Sequence, residues 1–400
     1  MGVRRAGSVW TVSALSVIVA LGAGCAIPRA TESDGNLSPS GTASLTQASA
    51  TPQVPSAMES PSPKPSWDYS ISWTSVPWTG RVERVAYDDQ LGLWLALGWN
   101  EMWTSADGVA WERHAFICDP CDDEPRPDGT PWPAYMTGVA RQGGLLWAVG
   151  VAYYAGDTRD LLLWTSSDGG TWTPIPQDEF VYSIATAIAT NGPVLAVATG
   201  FFAVGSGAVL TSSNGGTWEE QQPGGTARVL DVHGDAERFV AVGFRGDESA
   251  DFSPVIWVSP DGVDWTDVSP SGARGSLRSI VRASSGAYLA AGSDGEGSLV
   301  VWRSDSGIDW QSVPIDGPTA DPNWPLVRLA ASDESVALIA DTAAGWASWG
   351  SENGTRWDEA GGFVGPTGPY LMSAELSGDK VVIFIGEGSQ LWVGELSRTE

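Results

Sequence analysis

One eight-residue motif recurs six times along the chain: TSADGVAW (104–111), TSSDGGTW (165–172), TSSNGGTW (211–218), VSPDGVDW (258–265), RSDSGIDW (303–310) and GSENGTRW (350–357). Its closing tryptophans, Trp111, Trp172, Trp218, Trp265, Trp310 and Trp357, are separated by 61, 46, 47, 45 and 47 residues. A steady period of this size marks a fold made by stacking one supersecondary unit, each copy burying its apolar face against the next. The single long interval is an insertion, not a lost unit. Each motif reads as a hairpin turn. The fourth residue (Asp107, Asp168, Asn214, Asp261, Ser306 or Asn353) can accept hydrogen bonds from the N–H groups just after it, and the glycine that follows can take positive φ. Eight residues before each closing Trp stands Trp103, Trp164, Leu210, Trp257, Trp302 or Trp349. The two strands are therefore expected to be pinned by apolar pairs across the hairpin.

Upstream of each motif lies a nearly unbroken apolar run: LWLALG (93–98), LLWAVG (145–150), VLAVATG (194–200), RFVAVG (238–243), AYLAAG (287–292), SVALIA (335–340), and a seventh, KVVIFIG (380–386). Such runs suit strands covered on both faces. Weaker strands precede them, as in RVERVAY (81–87), RSIVRA (278–283) and LVRLAA (326–331). A unit is thus three strands, the motif turn and a fourth strand. The seventh unit has its anchor Trp392, but the chain ends at Glu400 without a seventh motif. SWTSVP (72–77) matches the outer strands DWQSVP (309–314) and DWTDVSP (264–270). The N-terminal strand should therefore complete the last unit and leave no open sheet edge. The expectation is an all-β fold, a seven-bladed β-propeller over residues 67–400 closed by its N-terminal strand; six blades is the alternative count.

The motif resembles the Asp-box (BNR) repeat found in sialidases, some endoglucanases, sortilin-type receptors and propeller factors that assist photosystem II assembly. The family pattern is Ser-x-Asp-x-Gly-x-Thr-Trp; the copies here are one residue shorter between Asp and Trp, and Asn214, Ser306 and Asn353 replace the Asp. The resemblance implies a sialidase-like propeller in which the Asp box is a structural turn at the blade periphery. It does not imply an activity. The Phe/Tyr-Arg-Ile-Pro motif of sialidases is missing, and although 48 acidic residues leave room for the carboxylate pair of a glycosidase, fold analogy alone does not make an enzyme.

Ahead of the repeats, residues 1–24 read as a signal peptide: Arg4 and Arg5, then an apolar stretch from Val9 to Leu21, then small residues. Leu21-Gly22-Ala23-Gly24-Cys25 resembles a bacterial lipobox, which would make Cys25 the lipidated first residue of a protein held on the outer face of the cell membrane. Retention of the stretch as a membrane span is the alternative. Residues 25–66 are dominated by Ser, Thr, Pro and Ala and have almost nothing to bury, as expected of a disordered tether. The formal charge of −27, with only two lysines (Lys64 and Lys380), argues against a nucleic-acid partner.

In a propeller, the loops joining second to third strands and those joining one blade to the next share the face opposite the motif turns. There lie Tyr153, Tyr154, Asp157 and Arg159 in GVAYYAGDTRD, Phe201 and Phe202 in GFFAVGSG, and Arg245, Asp247 and Asp251 in GFRGDESADFSP. These aromatic and charged residues are the candidate surface for a glycan or an extracytoplasmic protein. Cys118 and Cys121, in the insertion ICDPCDDEPRPDGTPWP (117–133), are expected to form a disulfide outside the cytoplasm. With only His114 nearby, zinc is disfavoured. The acidic run Asp119, Asp122, Asp123, Glu124 and Asp128 lacks EF-hand spacing, so calcium is a minor option and no cofactor is expected. The reading is a monomeric, membrane-anchored binding or scaffold propeller, with a carbohydrate-acting hydrolase as the alternative.

Overall fold

The structure, a computed structural model, describes residues 68–115, 134–153, 159–175, 184–200, 207–222, 227–246, 252–317, 319–320, 326–365, 373–386 and 389–399. They form seven four-stranded antiparallel sheets, the blades of a β-propeller. In blades one to six the four strands follow chain order from the centre outward. The inner strands are Val82–Asp88, Ala134–Gln142, Ile184–Thr190, Ala227–Gly234, Ser276–Arg282 and Val327–Ala331, and Ser373–Ser377 in blade seven. Each packs against the inner strand of the next blade, and that of blade seven against blade one, so the ring is closed.

Closure comes from Asp68–Val76, which pairs with Gln390–Thr399 as the outer strand of blade seven. Its register follows the sequence match: Ser75 stands opposite Trp392 as Ser312 stands opposite Trp302 in blade five. The strand is longer than SWTSVP alone indicates, because Gln390–Thr399 runs on straight where the other third strands break into a motif turn. The last strand of the chain is thereby paired on both sides and is not left as a sheet edge.

The apolar runs are the second strands. Leu95, Ala96 and Leu97, Val240 to Val242, and Val381 to Ile385 are wholly buried, because neighbouring blades cover both faces. The core is accordingly divided among blade interfaces. One cluster joins Leu95 and Leu97 to Met136, Trp164 and Trp172 of blade two. Another joins Trp94 and Trp103 of blade one to Val382, Phe384 and Leu391 of blade seven, and so seals the ring. Burying one such side chain stabilises the fold by roughly 1.5–3 kcal/mol.

Inner strands have one edge with no ladder partner. Side chains of the adjacent blade satisfy part of it: Ser373 Oγ accepts from Val85 N (2.8 Å), Asp231 Oδ2 from Ile280 N (3.1 Å) and Ser279 Oγ from Leu329 N (3.1 Å). The inner strands of blades one to five shift register at the same level, as between Val82 and Arg84. A bulge of this kind re-aims the side chains around it.

One detail departs from expectation. The closing tryptophans are not cross-strand partners of the anchors; Trp103 faces Arg113, and Trp111 lies before the outer strand begins. The indole instead folds back over its own turn, Trp111 Nε1 donating to Gly108 O at 3.0 Å. Covering the turn removes apolar ring surface and a buried carbonyl from water together, which a ladder position would not.

Candidate functional site

The motif turns are built for rigidity. Asp107 Oδ1 accepts from Val109 N (2.9 Å) and Ala110 N (2.8 Å), and Ser105 Oγ accepts from Gly108 N (2.9 Å). Asp168, Asn214 and Asp261 repeat this at 2.7 to 3.0 Å. Ser306 reaches the same two N–H groups only at 3.2 and 3.3 Å, being one atom shorter, and Asn353 takes Thr355 N at 3.1 Å. Backbone donors hold the carboxyls of Asp107, Asp168 and Asp261 below the usual range. The motif glycine is obligatory at Gly215, where φ is 69° and a Cβ would lie 1.9 Å from the Trp147 ring. These side chains spend their polar atoms on the turn.

Of the residues put forward for a binding surface, Arg245 donates to Asp267 Oδ2 at 2.9 Å within blade four. Tyr153 and Arg159 occupy opposed ladder positions at the ends of two strands of blade two. Cys25, Cys118, Cys121, the 119–128 acidic run, Tyr154, Asp157, Phe201, Phe202, Asp247 and Asp251 lie outside the described residues. Among the described residues, no group of three or more His, Cys, Asp or Glu is placed to hold a metal ion.

What the fold does bring together is charge around the central channel, sorted by sign. All seven inner strands run the same way, beginning at the face of the inter-blade loops and ending at the face of the motif turns. Toward the loop face they carry Arg84, Arg228, Arg278 and Arg328, with Arg81 just ahead of the first strand, against Glu83 and, farther along its strand, Asp231. Arg81 lies 3.6 Å over the Trp99 ring, which also stacks on Tyr135; Arg228 and Arg278 both lie over the Phe244 ring. Such stacking holds a guanidinium in place, and Arg81 is also paired with Glu83 at 3.6 Å. Arg328 donates Nη1 to the carbonyls of Arg278 (3.0 Å) and Val327 (3.1 Å). Burial brings its pKa down to about 10, offset in part by Asp231 and reinforced by Arg84.

The turn-face mouth has the opposite sign. A cavity of about 490 Å³ there is lined by Asp89, His233, Asp235, Arg282, Asp333, Glu334 and Glu375, among others. Asp235 is saturated: it accepts from Glu237 N (2.8 Å), Arg238 N (3.2 Å) and Tyr288 Oη (2.7 Å), and pairs with Arg282 at 2.9 Å. Burial alone would raise its carboxyl, yet the donors from His233, Tyr288 and Glu237 hold it far below the usual range. Tyr288 is buried and pushed upward by burial and by Asp235. Arg282 also binds Glu237 and Gly286 O. This Arg–Tyr–carboxylate group has a glycosidase's ingredients, but its phenol is locked as a donor and its guanidinium is taken. It ties blade four to blade five. Glu375 is different: burial pushes its carboxyl up to about 7, against the pull of Arg84.

The inner-strand arginines were absent from the candidate surface drawn from the sequence. Their signal was present, an arginine within the first few residues of RVERVAY, RSIVRA and LVRLAA.

No protein-family model matches the chain. No curated protein matches it. Among solved structures, YCF48 bound to D1 peptide superposes with a TM-score of 0.53 at 17% identity, over 81% of this chain and 94% of that one. The β-propeller domain of Swd1 (Cps50) from Myceliophteria thermophila gives 0.50 at 9% identity, over 80% and 99%. A Hadza microbial sialidase, Hz136, gives 0.48 at 14% identity, over 73% and 65%. The first two likenesses show the propeller fold.

Proposed function

We propose that the protein is a binding propeller, held at the outer face of a bacterial membrane through Cys25 and the 25–66 tether, that takes a carboxylate-bearing segment of a protein partner at its loop-face mouth. The observation that carries this reading is the sorting of charge: a chain of net charge −27 gathers five arginines at one end of its channel. The positive potential of these guanidinium groups favours a planar carboxylate, which an arginine binds in bidentate geometry. The field between an arginine mouth and an acidic mouth favours an anionic group approaching the former and repels it from the latter. YCF48, a propeller of the same fold, is seen with a peptide bound, which supports a peptide-sized partner here.

The test is fluorescence anisotropy of the full chain with a labelled Glu-Gly peptide, and with its Lys-Gly counterpart as control. The acidic peptide should bind, weaken with added salt, and weaken at least about tenfold in Arg228→Glu, the loss of one charge-assisted contact being worth roughly 1.5–3 kcal/mol. Equal binding of the basic peptide would refute the reading.

A further inference from the structure

On the outer side of the ring, a groove of about 610 Å³ opens between the closing segment and blade one. It shares no residue with the turn-face cavity, and a role for it is independent of the function proposed above. Its lining includes three indoles, Trp78, Trp103 and Trp111, with Thr79, Glu101 and Arg113. Trp78 packs edge-on against Trp103 (centroids 4.8 Å apart), Trp111 (5.9 Å) and Phe384 (4.9 Å), so the rings form one contiguous aromatic wall. Trp78 and Trp111 are half-buried and Trp103 is buried. Gly80 lets the chain hug this wall, since a Cβ there would meet the Trp103 ring at 2.6 Å.

The polar groups decide what suits the wall. Glu101 and Arg113 are bound to each other at the rim, so the groove offers an acceptor and donors without net charge, and Thr79 adds an exposed hydroxyl. A proline-rich segment on such a wall needs indole N–H donors for its carbonyls. Here the Trp111 N–H is used by Gly108 O, and the Trp78 N–H is enclosed. A pyranose needs what is present: flat apolar rings for its C–H face, and a paired donor and acceptor for adjacent hydroxyls, each of which both gives and takes a hydrogen bond. The volume falls within the range of small-ligand sites.

We propose that this groove is a binding site for a neutral oligosaccharide, with sugar rings stacked on Trp78 and Trp111 and hydroxyls bound by Glu101, Arg113 and Thr79. The test is isothermal titration of the full chain with cellohexaose, mannohexaose, maltohexaose and chitohexaose, alongside a proline-rich peptide. At least one hexaose should bind at millimolar or better affinity, about the floor of specific recognition. Glu101→Gln and Arg113→Ala, both at the solvent-facing rim and with no part in the core, should each weaken it by about tenfold. Arg356→Ala, on blade six and paired there with Asp358, should leave it unchanged. Failure of all four sugars to bind, binding indifferent to both rim variants, or binding of the proline-rich peptide at this groove in their place would overturn the proposal.

Discussion

Glu375 gives the sharpest energetic prediction. Its carboxyl sits on the inner strand of blade seven, half-buried at the edge of the turn-face cavity, with the positive charge of Arg84 too weak to offset its desolvation and with Asp89 and Asp231 opposing ionisation. Its ordinary value of 4.5 rises to about 7, so the folded protein binds this proton more tightly than the unfolded chain does. By linkage, stability then falls as pH rises between the two values and levels off above the higher one. At 1.36 kcal/mol per tenfold, keeping the carboxylate charged at pH 8 costs at most about 3 kcal/mol, less where channel water screens it. Glu375→Gln keeps the shape and removes the charge. In urea unfolding of the full chain, the variant should match the native protein near pH 5 and exceed it by about 1–3 kcal/mol near pH 8. A variant no more stable than the native protein at pH 8, or a difference that does not change with pH, would show that Glu375 is not held neutral by its surroundings.

The same structure sets other expectations. Trp257→Ala, at a fully buried anchor, should cost about 3–5 kcal/mol in the same assay. Asp107→Ala, which hands the exposed Val109 and Ala110 N–H groups to water, should cost about 0.5–1.5 kcal/mol, whereas Ser306→Ala, with its longer contacts, should cost clearly less. The carboxyls of Asp107, Asp168, Asp261 and Asp235 are depressed in the folded state, so their stabilisation is complete above the ordinary Asp range and is lost as pH falls through and below it; Asp235→Asn should blunt the acid limb of a pH–stability curve. Removing residues 68–76 should expose the edge of Gln390–Thr399, and light scattering should report association that the intact chain does not show.

The blade count was legible because two independent signals repeat: the motif turn, set by local hydrogen bonding, and the second strand, set by burial on both faces. Closure was legible for a chemical reason. A displaced outer strand meets the same neighbours as any other, so SWTSVP had to resemble DWQSVP. The position of the closing tryptophans was not legible, because spacing along the chain cannot separate a ladder partner from a ring folded over the turn. The sorting of charge was harder to see. The inner strands are weakly patterned, and a bulge at Val82/Arg84 and its equivalents changes which side chains face the channel. Arg84 and Arg228 therefore looked like ordinary polar positions of half-exposed strands, and Arg328, in a strand that keeps its register, looked no different. Glu375 gave no signal at all, since its environment is made by residues from other blades.

The location of a bound acidic segment bears most directly on the proposed binding mouth. A Glu-Gly peptide carrying a benzophenone group would be photo-crosslinked to the full chain and the adducts mapped by mass spectrometry. An arginine-lined mouth predicts adducts at the loop face, around Arg81, Arg228 and Phe244, with their yield falling sharply in Arg228→Glu. Adducts gathered at the turn-face mouth around Asp333 and Glu334, or a yield unchanged by that substitution, would contradict it.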